Sequence, residues 1–272
     1  MLQIRRYRPW MMSNSVMENS RLIADEVTVR FGGLVALDRV SLNANLGEVH
    51  GVIGPNGAGK TTLFNVLCGF VKPSSGKLTY FGNEVKTLRP EQLSKMGVSR
   101  TLQGLGLFSR MTVLENVMIG ATSLTKVGPF RSLLGVGTTV TEEARIKDLA
   151  LSVIEDLGLS SFAKRLPPSL PYAIQKKVAL ARALVLSPKF ILLDEPASGL
   201  SNVEMDELGD LILGLSKNLG VLLVEHHMDL VMRVCSTITV LDFGRVIANG
   251  NPSEIRVNPI VTQAYLGEDV TI

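Results

Sequence analysis

Residues 54–61 read Gly-Pro-Asn-Gly-Ala-Gly-Lys-Thr, and no other stretch of this chain restricts its fold as tightly. The β-branched apolar run 49–53 precedes it, and 60–70 has the spacing of a helix. Glycines between a strand and a helix let the backbone turn with its N–H groups pointing inward, making an anion nest at the helix N-terminus. Lys60 would reach the β- and γ-phosphates of a nucleotide, and the Thr61 hydroxyl would ligate Mg2+. The competing reading is a glycine-rich turn with a chance Lys-Thr, and the flanking strand and helix weigh against it.

The rest of the chain supplies a sheet for such a loop. Strands are predicted at 22–30, 37–42, 49–53, 77–81 and 98–102, with a turn at Gly32-Gly33 and a helix over 91–95. Beyond Leu170, helices at 173–186, 204–217 and 227–235 alternate with strands at 190–193, 221–224, 237–241 and 245–248. Short buried strands alternating with helices predict an α/β core with a mostly parallel sheet. Residues 111–166 are helical in pattern, broken by a loop-like segment at 122–139, and read as an inserted subdomain.

Phe190-Ile191-Leu192-Leu193-Asp194-Glu195 places two acids at the carboxyl end of an apolar strand, where ligands sit in open parallel sheets. Asp194 would hold Mg2+ directly or through water, and Glu195 would polarise an attacking water. A solvated acidic pair is the bland alternative. His226 follows the strand 221–224 and Glu225 and can contact a γ-phosphate; the residues alone do not separate it from His227. Gln103 is a polar residue in a Gly/Leu loop, and Phe31 can stack on a base or belong to the core.

Composition excludes several classes. At 272 residues with 46% hydrophobic and 19% charged side chains, the chain is globular, not disordered. A net charge of +3 without a dense basic face argues against nucleic acid. Cys68 and Cys235 have no metal-ligand spacing, which fits a reducing cytosol and two small buried apolar residues. Mean hydropathy is high at +0.26, yet no run approaches the ~18 apolar residues of a membrane span, so docking onto something apolar is compatible. Residues 1–20, with Arg5, Arg6 and Arg8, read as a flexible N-terminal extension or as a start placed too early, not as a signal peptide.

Taken in order, these pieces resemble the ATP-binding subunits of ABC transporters over about residues 22–268. Phe31 stands where that family has its adenine-stacking aromatic. Gly54, Pro55, Asn56, Gly57, Ala58, Gly59, Lys60, Thr61 and Thr62 form the phosphate loop. Gln103 matches the loop that senses the membrane partner and contributes to the metal site; ILLDEP (191–196) matches the Mg2+ and catalytic-glutamate strand; His226 matches the switch histidine. The segments VRFGGLVALDRVSL (29–42), SRTLQGLGLF (99–108), MTVLENVMIG (111–120), VEHHMDLVM (224–232) and NGNPSEIRVNPIVTQAYLGED (249–269) look like the ATPases of branched-chain amino-acid importers and their urea and amide relatives.

The resemblance implies a P-loop NTPase fold of ABC type over 21–269. It would combine a mostly parallel core, an antiparallel β subdomain and an α-helical subdomain inserted at about 104–185. It implies ATP and Mg2+ as cofactors and a second ATPase subunit, identical or different, as partner. Membrane permeases and, indirectly, a substrate-binding protein would complete the complex at the cytoplasmic face of the inner membrane, without nucleic acid.

One motif departs. Where the family has Leu-Ser-Gly-Gly-Gln, this chain has Leu170-Pro171-Tyr172-Ala173-Ile174 and then Gln175, and Pro171 offers neither hydroxyl nor N–H. Ser198-Gly199-Leu200-Ser201 also lacks the family's acid after the leucine. Three alternatives to an importer ATPase stand beside it, the first of them raised by this departure. They are a regulatory subunit with little turnover, an exporter ATPase of lipopolysaccharide type, and a repair or translation protein. The last would carry coiled-coil, zinc or tandem-cassette insertions that this sequence lacks.

Overall fold

The computed structural model describes residues 20–101, 104–122 and 139–265. They fall into two compact units, one of residues 101–188, the other of residues 20–100 with 189–265. Of the predicted extension 1–20, residues 1–19 lie outside the described residues.

In the larger unit, β1 (Arg21–Phe31) and β2 (Leu34–Asn45) form an antiparallel hairpin around Gly32 at φ 59. β2 is twice the length of the predicted 37–42. Register from Arg21↔Asn45 to Phe31↔Leu34 draws Asn43 and Asn45, beyond the predicted run, into the ladder, which an apolar run cannot foretell. β3 (Val49–Ile53) leads into α1 (Lys60–Leu67). This helix stops short of residue 70 because Gly69 turns left-handed at φ 74 and the N–H of Phe70 reaches back to the Asn65 carbonyl at 2.9 Å. β4 (Ser75–Tyr80), β5 (Asn83–Glu84), α2 (Pro90–Leu93) and β6 (Val98–Arg100) follow.

The smaller unit contributes α3 (Val113–Gly120), α4 (Thr139–Asp156) and α5 (Tyr172–Leu184). Thr112 and Glu115 cap α3 reciprocally. Fully buried Asn116 bonds the carbonyls of Phe108, Met111 and Thr112, so the loop before α3 folds onto the helix. Gly120 lets α3 approach α5: a Cβ there would collide with the Arg182 carbonyl.

The chain then returns to the larger unit with β7 (Phe190–Asp194), α6 (Asn202–Ser216), β8 (Gly220–Val224), α7 (Met228–Val234), β9 (Thr237–Asp242) and β10 (Arg245–Gly250). Two short helices close the described chain, α8 (Pro252–Arg256) and α9 (Pro259–Tyr265). A six-stranded sheet runs β10-β9-β3-β8-β7-β6, parallel from β9 to β6 with β10 antiparallel at one edge. A four-stranded antiparallel sheet runs β2-β1-β4-β5. β3, β7 and β8 are buried at every position, as strands covered on both faces must be.

One core spans Leu22, Val27 and Leu37 of the antiparallel sheet, Leu63, Phe64 and Leu67 of α1, and Phe190 and Leu222 of the parallel sheet. Both cysteines are buried, and burial pushes the Cys68 thiol up to about 11 and that of Cys235 up to about 12. They are neutral packing residues. Among the described residues no helix is long and apolar enough to cross a membrane.

Candidate nucleotide site

β3, β8 and β7 are parallel neighbours, so their carboxyl ends open on one edge of the sheet. Gly54 follows β3 at φ 149, and a Cβ there would collide with the carbonyl of Leu241, so only glycine turns the chain out of the strand. Gly59, at φ 103, is the N-cap of α1; a Cβ would stand 2.9 Å from the Ala36 carbonyl. The loop closes with the Ala58 N–H donating to Pro55 at 3.1 Å. It is held from outside by the Gly244 N–H on the Ala58 carbonyl at 3.0 Å and the Asp38 N–H on the Gly244 carbonyl at 2.8 Å. The buried Lys60 ammonium lies over this loop and donates to the carbonyls of Gly54 at 2.5 Å and Pro55 at 2.8 Å. Thr61, one residue on, is exposed at the start of α1.

Asp194 ends β7 with its side chain only 1% exposed. Arg100, at the end of neighbouring β6, pairs with it at 2.6 Å and donates through its other terminal nitrogen to the Asn65 side-chain oxygen on α1 at 2.7 Å. Glu195 follows in a left-handed backbone conformation, φ 47, uncommon for a side chain with a Cβ. Its N–H still donates to the Val224 carbonyl at 2.9 Å, so the strand ladder continues while the side chain is re-aimed. Such strain concentrates at functional positions.

Glu225 and the two histidines follow β8. The His227 ring is held by the buried Glu225 carboxylate at 2.9 Å, whereas the His226 ring is about half exposed. The structure thereby distinguishes two residues the sequence left equivalent. Phe31, at the end of β1, is 52% exposed, which removes the core reading. Gln103 lies outside the described residues.

The altered signature belongs to the smaller unit. Leu170 is buried, and exposed Pro171 is the N-cap of α5, with no side-chain bond to the helix. Tyr172, Ala173 and Ile174 make up the first turn, whose N–H groups no earlier helical carbonyl can accept. Gln175 bonds the Leu170 carbonyl at 2.9 Å, and Lys176 sits 5.3 Å over the Tyr172 ring. In the larger unit, Ser201 is the N-cap of α6 in a reciprocal box with Glu204. Serine and aspartate cap about equally well, so the missing acid there costs the helix nothing.

Arg100, Asn65 and Glu225 carry charge or polarity into this site and were not singled out from the sequence. The available signal was a lone arginine ending the strand 98–100, and an acid directly after four buried apolar residues.

A family profile described as ABC transporter matches residues 37–198. The chain belongs to the ABC transporter family. A second profile, described as branched-chain amino acid ATP-binding cassette transporter, matches residues 245–271. The high-affinity branched-chain amino acid transport ATP-binding protein LivG of Salmonella typhimurium is 41% identical over 254 residues, covering 93% of this chain and all of that one. The lipopolysaccharide export system ATP-binding protein LptB of Haemophilus influenzae is 31% identical, covering 92% of this chain and 98% of that one. The crystal structure of an ABC transporter's ATP-binding cassette in its ADP conformation superposes with a TM-score of 0.81 at 32% identity, covering 92% and 99% of the two chains. ABC cassettes bind nucleotide and, in transporters, work with membrane permease subunits.

Proposed function

We propose that this ABC ATPase powers uptake of branched-chain amino acids or a related amino acid or amide. The family assignment supports the ATPase, and the match over 245–271 together with 41% identity to LivG supports the substrate class. The lower identity to LptB, 31% against 41% for LivG, favours the importer over the exporter reading. The observation that carries the chemistry is the shared edge of β3, β8 and β7. It gathers the Lys60 loop, the Glu225-His226 segment and the Asp194-Glu195 pair in one unit.

In this reading the loop 54–62 cradles the phosphates of ATP, and Lys60 exchanges its two loop carbonyls for phosphate oxygens. Phe31 stacks on the adenine. The donors Thr61 and Asp194 are hard oxygens, which fits Mg2+, and Gln103 adds a third. When bound, Mg2+ neutralises charge developing on the phosphates. Glu195 orients and polarises water, whose oxygen bonds to the γ-phosphorus as the bond to the β-phosphate oxygen breaks, releasing ADP and phosphate. His226 contacts the γ-phosphate. The segment 170–175 acts on the site of a second ATPase subunit, identical or different. The cassette is 21–269 with the helical subdomain inserted at about 104–185. It docks on permeases at the cytoplasmic face of the membrane, fed by a binding protein.

A second reading, a subunit with one quiet site, is favoured by Pro171, which places no hydroxyl at the start of α5. The test is Glu195→Gln in the full chain. ATP binding should persist while steady-state hydrolysis falls by at least about 100-fold. Hydrolysis at the parent rate would remove Glu195 from its role.

A further inference from the structure

Glu225 is fully buried, and among the described residues no lysine or arginine pairs with it. Its charge is met instead by N–H donors from two separate loops. Oε1 accepts from the Ala197 backbone at 2.7 Å. Oε2 accepts from the backbones of His226 at 2.9 Å and His227 at 3.1 Å, and engages Nδ1 of His227 at 2.9 Å. Ala197 stands two residues past Glu195, whose own N–H is fixed to the carbonyl of Val224. The segments 195–197 and 224–227 are therefore stitched at two points, one of them a buried carboxylate. Glu225, His226 and His227 also cluster closely enough to suggest a metal site, but both carboxylate oxygens are already committed to these donors.

A carboxylate buried without a lysine or arginine partner is costly unless its lone pairs are filled. Here the filling joins the segment carrying His226 to the segment that carries Glu195 and continues into Ser198-Gly199-Leu200. Any displacement of one segment must either carry the other along or leave buried donors and acceptors unmet. We propose that Glu225 is a positioning residue that couples the two loops: it sets His226 and the Glu195 segment in a common register, so that they move as one body on nucleotide binding and hydrolysis. This rests on the ATPase reading above for its catalytic consequence, but the coupling itself is a property of the unliganded fold.

The test uses the full chain with Glu225→Gln, an isostere that puts an amide group where donors already point. A second variant, His227→Ala, deletes the single side-chain donor to Oε2 and leaves the backbone donors in place. Backbone hydrogen exchange, followed without nucleotide over 195–200 and 224–228, should rise in both segments together in Glu225→Gln. Turnover of MgATP should fall on the order of 10–100-fold, as for lost supporting partners of a reactive group, with KM unchanged within about two-fold. His227→Ala should show the same pattern more weakly. Adding His226→Ala to Glu225→Gln should cost little beyond His226→Ala alone. Exchange rising in one segment only, or losses that multiply in the double variant, would overturn the proposal. So would a rise in KM matching the fall in kcat. Should Glu225→Gln not fold, His227→Ala decides by the same exchange and kinetic readouts. Absent turnover in the parent would refute the ATPase reading instead, and the exchange measurement would still judge the coupling.

Discussion

Removing Arg100 isolates the contribution of the charge network that joins β6, β7 and α1. Its guanidinium meets Asp194 at 2.6 Å, with side-chain exposures of 10% and 1%, and reaches Asn65 on α1 at 2.7 Å. It also lies 5.8 Å from the Phe64 ring centre and 5.9 Å from that of Phe70. Arg100→Met keeps the length and apolar packing but takes the guanidinium away from the buried Asp194 carboxylate. Breaking one side of a buried pair costs about 3–5 kcal/mol, because the remaining charge keeps its desolvation penalty. At about 2–4 °C per kcal/mol for a protein of this size, the nucleotide-free chain should melt about 6–20 °C lower. The double variant Arg100→Met/Asp194→Leu removes both charges and should recover most of that loss. MgATP should raise the melting temperature of Arg100→Met more than that of the parent, since a bound cation near Asp194 takes over part of the guanidinium's task. Calorimetry on the full chain measures all three. A drop below about 2 °C, or a double variant as unstable as the single one, would refute the argument.

Other outcomes follow from particular contacts. Burial lowers the pKa of His50, whose ring bonds Thr239 at 2.8 Å, from 6.5 to about 4. The unfolded chain therefore binds the extra proton first, and stability should decline as pH falls from 6.5 toward 4, by on the order of 3 kcal/mol in total; urea midpoints across that range should lose this component in His50→Gln. Pro171→Ser with Ala173→Gly restores a hydroxyl donor and removes a methyl at the start of α5, and should raise turnover, since one such donor can be worth roughly 3 kcal/mol to a developing charge. Equal rates in the assembled transporter would show that the altered signature is not impaired. Phe31→Ala should weaken ATP binding by about 1–3 kcal/mol and Phe31→Trp preserve it, with melting temperatures nearly unchanged because the ring is 52% exposed; titration calorimetry separates the two.

Several features of this protein were legible in its residues because they obey local rules. A glycine-rich turn between an apolar run and a helix needs left-handed or crowded backbone, and Gly54 and Gly59 supply it. The runs 190–193 and 221–224 are apolar at every position, which marks strands buried on both faces. Acids directly after such a strand must emerge at its carboxyl edge, the edge on which the turn after β3 also opens. The sequence also showed Pro171 and Ala173 standing where the family resemblance implies a serine and a glycine.

Other features depended on residues far apart in the chain, where no local rule reaches. β2 doubles in length because β1 offers it a ladder from end to end. Arg100 and Asp194 are separated by 94 positions and meet only because β6 and β7 are hydrogen-bonded neighbours. Ala197 and Glu225 are separated by 28 and meet because β7 and β8 end side by side. His226 and His227 are indistinguishable as letters, and only the buried carboxylate that takes one ring and leaves the other half exposed tells them apart. The physical reason is common to all of these. Periodicity and turn chemistry report a residue's own backbone and burial, whereas the partner of a buried charge is chosen by strand order, which the sheet settles only when the whole chain has folded.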